Sequence, residues 1–504
     1  MYLKELLDGL IYSTKEDILA LDIKGVAYDS REVKSGYLFV ALKGRHLDGS
    51  DYIQDAIKKG AVAVVTEKGM EVGRFQKIPT IEVAHSREFL AEIAIKYYRE
   101  PFEGINLIGI TGTNGKTTTS YLIESVLKAS SRMPGVIGTV NDRYKGVVLN
   151  TSITTPGSLE LMRTLRTMAD AGVSDVIIEV SSHALSQGRT KGCPFKVVVF
   201  TNFSRDHLDY HNSMDEYFKS KSLLFKKQKD LENSGLTKAV INADDPKGKE
   251  LIELTEFPYI TYGLSKDCDI RAEDIRIEKE GITGELVTPL GVKKVKSNLI
   301  GDFNLYNILA ATGTGLSLGI SLEDIAAGIS MLNGVPGRLE LIKNNDRVVV
   351  VDYAHTPDAL EKAIVALKPL YKRIITVFGC GGDRDRGKRF QMGLIAGMQS
   401  DFVIITSDNP RTEDPMAIAL EIEKGVRQSG LEKRGSKSLE FPAKRGYVIN
   451  IDRRSAITQA VSIAGKDTVV LVAGKGHEDY QIIGNERLEF DDRKIAEEVT
   501  SGEY

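Results

Sequence analysis

The shortages in this sequence narrow the field before any motif is considered. Cysteine is scarce: Cys193, Cys268 and Cys380 are the only three in 504 residues, far apart and without a CxxC pair. That spacing argues against a disulfide framework and against a structural zinc site, and it suits a reducing compartment. No apolar run approaches the ~18 residues of a membrane span, and the opening MYLKELLDGL lacks the long apolar core of a signal peptide. A cytoplasmic protein with no membrane partner is expected. Neither sign of charge dominates, with 67 Lys and Arg against 70 Asp and Glu. Without a general polyanion-binding surface, nucleic acid is not expected as a partner either. There is no short-period repeat and no low-complexity tract.

What remains is a globular composition, 42% hydrophobic and 27% charged. The chain is too long for one ordinary core, so several domains are expected. Residues 1–100 carry short strand-like runs (GVAYDS, GYLFVAL, AVAVVTE), a helical DYIQDAIKKG and a closing helical SREFLAEIAIKYYREP that stops at Pro101. From 101 to 335, strands such as NLIGIT, DVIIEV and KVVVFTN alternate with helical stretches. From 336 to 504 the alternation restarts with RVVVVDYAH, RIITVFGCGG, DFVIIT and TVVLVAGKG. Continuous Val/Ile-rich runs between helices imply parallel sheets covered on both faces. The expected fold class is α/β in three domains. The first is a smaller N-terminal α/β domain, the second a central P-loop ATPase-like domain on a mostly parallel sheet, and the third a dinucleotide-fold-like α/β domain.

NLIGITGTNGKTTTSYLIESVLKA reads as strand, Gly-rich turn and helix. Backbone N–H groups of Gly112, Thr113, Asn114 and Gly115, with Thr118 on the first helical turn, form a nest for phosphate oxygens. Lys116 neutralises the terminal phosphates, and the Thr117 hydroxyl suits Mg²⁺. The usual pattern puts four residues between its first glycine and the GK pair; here Gly109 and Gly115 are separated by five. The shorter form TGTNGKTT is what fits. Elsewhere, TSDNPRTEDP follows the buried-looking strand DFVIIT. Taken alone it is a surface turn with a solvated arginine.

Nine segments occur in order: TGTNGKTT (111–118), EVSSHALSQGR (179–189), TNFSRDHLDYH (201–211), GDFNLYNILAA (301–311), PGRLE (336–340), DYAHTPDALE (352–361), GCGGDRDRGKR (379–389), DNPR (408–411) and GKGHEDYQ (474–481). With YDSR (28–31) they resemble the Mur ligases of peptidoglycan synthesis over nearly the whole chain. The resemblance implies an ATP-dependent ligase that makes an amide by way of an acyl phosphate, with small-molecule substrates and a monomeric enzyme.

By that resemblance, Thr117 and Glu179 serve Mg²⁺ near the β and γ phosphates, and His207 serves a second Mg²⁺. Lys221 is carbamylated by CO₂, which turns a cation into an anion able to bind metal; Lys219 is its near neighbour. Asn304, Asn307, Asp352 and His355 belong to the ATP site. Ser30 touches the uridine end of a UDP-N-acetylmuramoyl-L-alanyl-D-glutamate substrate, with Arg45, His46 and Leu47 close by. Thr154, Thr155, Ser181, Gln187 and Arg189 hold its dipeptide and carboxylates.

Family members that add meso-2,6-diaminopimelate carry DNPR, and those that add L-lysine differ there. Asp408, Asn409, Pro410 and Arg411, with Arg384, Gly474 and Glu478, are therefore implied to bind diaminopimelate. Arg411 would pair with the carboxylate that lysine lacks. Rival readings are an L-lysine-adding ligase, a folylpolyglutamate synthase and a nucleotide-binding switch without ligase activity.

Overall fold

A computed structural model of the chain describes residues 1–14, 18–44, 48–69, 78–151, 153–208, 210–227, 237–344, 346–435 and 445–502. They divide into two units, one of residues 1–120, 130–261 and 317–319, the other of 121–129, 262–316 and 320–504.

The first unit holds two sheets. Four parallel strands lie in the order Gly25–Ala27, Tyr37–Val40, Ala61–Glu67 and Thr80–Val83. Strand residues alternate between faces, so Leu38, Val40, Ala63 and Val65 join one core while Phe39 and Val64 join another with Ile53 and Ala56. The helix predicted before Pro101 spans Ser86–Tyr97. It ends earlier than the proline because Arg99 and Glu100 take left-handed φ values of 55° and 47°.

The second sheet of this unit has eight strands, ordered Tyr259–Tyr262, Lys238–Asn242, Phe195–Phe200, Asn106–Thr111, Asp175–Glu179, Pro134–Ile137, Asp142–Tyr144 and Val147–Leu149. From Lys238–Asn242 across to Pro134–Ile137 the neighbours run parallel, and the final hairpin is antiparallel. Asp175–Glu179 is buried throughout, as expected of a strand covered on both faces. One apolar cluster extends from Leu3 to Leu251.

In the second unit, six strands lie in the order Glu340–Asn344, Arg347–Asp352, Thr468–Ala473, Arg373–Phe378, Phe402–Ile405 and Gly446–Ile449. All pair in parallel except the first. Val350, Ile374, Val403 and Leu471 face the helices Pro357–Leu367, Gly387–Gln399 and Pro415–Gln428. Val349, Ile375, Ile404 and Val470 face Arg453–Ser462 and Asp492–Ser501. Each such side chain, fully buried, is worth about 1.5–3 kcal/mol.

Ile300 packs in the same cluster as Leu339. The strand–helix alternation expected up to 335 omits a three-stranded antiparallel meander, Arg271–Glu278, Gly281–Thr288 and Gly291–Ser297. Its strands mix exposed charge with isolated buried positions, so they carry no continuous apolar run. Gly281 is obligatory there, since a Cβ would lie 1.9 Å from the Ser297 carbonyl oxygen.

Four of the motifs leave the carboxyl ends of parallel strands in this sheet: DYAH after Arg347–Asp352, GCGGDRD after Arg373–Phe378, DNPR after Phe402–Ile405 and GKGHE after Thr468–Ala473. That edge is where open α/β sheets bind ligands.

Candidate active site

In the first unit the phosphate loop connects Asn106–Thr111 to the helix Lys116–Ala129. Gly112 has φ 147°, and a Cβ there would meet Thr201 Oγ1 at 1.9 Å. The segment TNFS stitches the loop down. The Asn114 amide donates to Asn202 Oδ1 (2.9 Å), Thr201 Oγ1 donates to the Asn114 carbonyl (2.7 Å), and the Ser204 amide donates to Thr113 Oγ1 (3.0 Å).

Two lysines converge on one oxygen. Lys116 Nζ donates to the carbonyls of Gly112 and Thr113, both at 2.9 Å, and Lys221 Nζ donates to the same Gly112 carbonyl at 2.8 Å. Lys221 is buried at 2% exposure, whereas Lys219 is exposed. Burial, and then the neighbouring Lys116, hold the Lys221 amine well below the ordinary lysine value. Its Nζ lies 4.5 Å from the Tyr217 ring centroid, and the His207 ring lies 5.8 Å from the same ring. His207 itself adopts φ 53° and sits 3.5 Å from the Asp206 carboxylate.

Glu179 ends its strand with both carboxylate oxygens engaged. Oε2 accepts from Thr117 Oγ1 (3.0 Å) and Thr139 Oγ1 (2.8 Å), and Oε1 accepts from the Thr139 amide (3.1 Å). Thr139 Oγ1 also lies within hydrogen-bond distance of Thr154 Oγ1, at 3.1 Å. Thr155 Oγ1 donates to the Glu179 carbonyl (2.7 Å) and accepts from the Ser181 amide (3.0 Å). Arg189 donates to the Thr155 carbonyl (2.6 Å) and grips Gln187 Oε1 through two nitrogens at 3.1 and 2.8 Å. The structure thus joins Thr154, Thr155, Ser181, Gln187 and Arg189 to Glu179 in one network. Burial pulls the Arg189 guanidinium below its ordinary value, opposed by Tyr28 of YDSR.

Ser30 is buried beneath this unit's surface, and its carbonyl accepts from Lys59 Nζ at 3.1 Å. Arg45, His46 and Leu47 lie outside the described residues.

The other nucleotide candidates belong to the second unit. Asn304 and Asn307 share a helical face, with Asn307 Nδ2 donating to Asn304 Oδ1 at 2.8 Å. Asp352 accepts from the amides of Ala354 (2.8 Å) and Leu339 (2.7 Å), and burial raises its carboxyl. The carbonyl of His355 accepts from Lys388 Nζ at 2.9 Å.

In the amine-binding candidates, Arg411 takes φ 52° and is held by its backbone: its amide donates to the Ile482 carbonyl (3.1 Å) and its carbonyl accepts from the Gly484 amide (2.7 Å). Its Nη1 donates to the Gly382 carbonyl at 2.8 Å. A Cβ on Gly381 would lie 3.0 Å from that Nη1 and 3.7 Å from Arg384 Cγ, so two guanidinium side chains flank one glycine. Pro410 closes the turn against Gly382, and Asp408 Oδ2 lies 2.5 Å from where a Cβ on Gly474 would stand. Asn409 Nδ2 donates to Glu478 Oε2 at 3.0 Å.

The sequence reading passed over several residues that hold this arrangement. Thr139 and Asn202 organise Glu179 and the phosphate loop. Arg389, 1% exposed, binds Glu413 through both terminal nitrogens (3.1 and 2.8 Å) and so fastens the GGDRD loop to the DNPR loop. Lys475 lies inside the quoted GKGHE, so its signal was available.

Sequence models of three domains match the chain: the Mur ligase family catalytic domain over 22–98, the Mur ligase middle domain over 110–315, and the Mur ligase glutamate ligase domain over 337–476. The chain is 48% identical to the UDP-N-acetylmuramoyl-L-alanyl-D-glutamate--2,6-diaminopimelate ligase of Geobacter metallireducens, covering 94% of each chain. It is 44% identical to the ligase of the same name from Geobacillus kaustophilus, again over 94% of each. A solved structure of a ligase of that name superposes with a TM-score of 0.70 at 32% identity, over 100% of this chain and 99% of that one. The MurF ligase of Thermotoga maritima in complex with ADP shares the fold, with a TM-score of 0.60 at 19% identity over 95% and 96%.

Proposed function

The chain belongs to the Mur ligase family, and on that premise we propose that it adds meso-2,6-diaminopimelate to the D-glutamate carboxylate of UDP-N-acetylmuramoyl-L-alanyl-D-glutamate in peptidoglycan synthesis. It is an ATP-dependent, ADP-forming amide ligase. The observation that carries the reading is the convergence of Lys116 and Lys221 on the Gly112 carbonyl beside the Thr117–Glu179 pair.

A carboxylate resists attack by an amine. Transfer of the γ-phosphoryl group to its oxygen gives an acyl phosphate and ADP; the amine then attacks the carbonyl carbon, and the tetrahedral intermediate expels phosphate. The first step needs positioning and charge neutralisation more than covalent help from the protein. Gly112–Gly115 amides and Lys116 would hold the phosphates, replacing the carbonyls to which Lys116 now donates. Arg189, with Gln187 and Thr155, would grip substrate carboxylate, for which a guanidinium fork is suited.

Magnesium, when bound, neutralises phosphate charge. The hard oxygens of Thr117 and Glu179, 3.0 Å apart, fit such an ion. An ammonium at Lys221 does not fit, but its buried position favours the neutral amine, and a neutral amine adds to CO₂ with loss of a proton to give a carbamate. That modification, and His207 as a further ligand, are part of the proposal.

Arg384 and Arg411, both beside Gly381, support diaminopimelate over lysine, because only the former brings a second carboxylate, at its far end, to meet them. The division into domains at 1–100, 101–335 and 336–504, a cytoplasmic location, a monomeric state and the absence of nucleic-acid and membrane partners complete the reading. No helix among the described residues is long and apolar enough to cross a membrane. The test is product mass after incubation with ATP, the UDP-dipeptide and a panel of diamino acids. Diaminopimelate is expected to be joined, with phosphate released only when both acceptor and amine are present. Preference for lysine, or phosphate release without amine, would overturn it.

A further inference from the structure

Lys475 is enclosed at 0% exposure, an unusual place for an ammonium unless it is paired. Its Nζ donates to Asn409 Oδ1 at 3.1 Å and to Glu478 Oε2 at 3.2 Å, and it lies 5.3 Å from the Tyr480 ring centroid. Asn409 closes the triangle. Its Nδ2 donates to the same Glu478 Oε2 (3.0 Å), while its Oδ1 also accepts from the Ile482 amide (2.9 Å). Among the described residues, both hydrogen bonds to the Glu478 carboxylate therefore fall on one oxygen.

We infer that Lys475 is a positioning residue of the amine pocket: it holds the Glu478 carboxylate charged and oriented, with Oε2 engaged inside the protein and Oε1 left for an ammonium of the incoming diamino acid. This rests on the reading of that pocket given above. The groups that act on Glu478 are Lys475, Asp408 and Arg453, together with the phenols of Tyr353 and Tyr480. Burial pushes the Glu478 carboxyl upward and Asp408 adds to that push, while Lys475 opposes it. Without the lysine, the carboxyl would take up its proton at higher pH, and Asn409 would lose a partner that fixes its amide.

Lys475→Met keeps the apolar stem and removes the charge. The expected result is a rise of about 10- to 100-fold in KM for diaminopimelate, the equivalent of one charged hydrogen bond, with KM for ATP and for the UDP-dipeptide unchanged. Diaminopimelate use by the variant should also fall off at a higher pH than in the parent. Glu478→Gln should abolish that extra pH dependence, and combining the two substitutions should cost less than about threefold beyond Glu478→Gln alone.

An unchanged KM for diaminopimelate, a parallel rise in all three KM values, or full additivity in the double variant would overturn the inference. So would failure of both Lys475→Met and Lys475→Gln to fold, which would assign the lysine to the core. If Glu478→Gln and Arg411→Ala also leave diaminopimelate use untouched, the pocket reading itself falls. If they impair it and Lys475→Met does not, only the role of Lys475 falls.

Discussion

The phosphate loop and the DNPR and GKGHE loops all follow parallel strands, yet they handle charge differently. Around the phosphate loop two lysine amines are crowded together: Lys116 and Lys221 donate to one carbonyl oxygen, and burial with the nearby Lys116 holds the Lys221 amine well below its ordinary value, opposed by Asp206. Around DNPR and GKGHE several charges are matched, while the Arg411 guanidinium donates to the carbonyls of Gly382 and Asn409. Lys475 meets Glu478, Arg389 meets Glu413 and Glu421, and Arg453 meets Asp492 with both side chains fully enclosed. The first arrangement gathers donors that the proposed phosphate binding would engage. The second is satisfied beforehand, so it can serve as a rigid template that rejects a wrong side chain. Crowding prepares for reaction and pairing prepares for selection.

The largest expected effect tests the crowded region. Lys221→Ala should lose about 1,000-fold or more in kcat, a loss of roughly 4 kcal/mol of transition-state stabilisation. Acetate or formate should restore part of it, since an anionic oxygen is what the gap requires. Steady-state rates with and without the small anion check this. Full activity, or a loss that no anion repairs, would break the contrast at its first term, and rescue of Lys219→Ala instead would move the role to that residue.

Arg411→Ala tests the paired region and should do less. Stranding one partner of a buried guanidinium–carboxylate pair costs about 3–5 kcal/mol, and a half-buried site takes the lower end or below, about 100-fold in kcat/KM for diaminopimelate. The apparent affinities for ATP and UDP-dipeptide should stay near those of the parent. Lysine use need not improve, because removing a repulsion does not supply the acid that a terminal ammonium wants. Kinetics with each substrate varied in turn, lysine beside diaminopimelate, decide the matter.

The smallest effect sharpens the comparison through pH. Burial lifts the Asp142 carboxyl from 3.8 to about 6, and the charge of Glu179 contributes. A carboxyl with a raised native value holds its proton more tightly folded than unfolded, so it costs stability progressively as pH climbs from about 3.8 to about 6. Asp142→Asn should flatten that decline in the ligand-free protein. Urea midpoints across the interval would show it, and an unaltered slope would mean that Asp142 is not the source of the decline.

How far the sequence could be read depended on how local each determinant is. TGTNGKTT could be assigned because strand, turn and helix are contiguous, and the turn needs Gly112 where Thr201 leaves no room for a Cβ. DNPR was visible as a turn. Its neighbours were not, because Gly382, Ile482 and Gly484 reach Arg411 from segments 29 or more residues away in one direction and 71 or more in the other. Thr139 carries no spacing that marks it, and its importance arises from the Glu179 carboxylate lying beside it in the fold. The meander of residues 271–297 was missed for a related reason. Its strands are half exposed, so alternation was faint and no apolar run announced them.

By itself, then, the sequence determined the α/β class, the phosphate loop and the order of motifs, since periodicity, turn chemistry and contiguous residues act over a few positions of chain. Only the tertiary structure decided which lysine of EYFKSKSLLF is enclosed, where the packed cores begin and end, and which charges meet. Lys219 and Lys221 differ by two positions on one helix, and what separates them is that one is exposed while the other lies against the Gly112 carbonyl. Burial and pairing are properties of surroundings gathered from distant segments, and no local pattern encodes them.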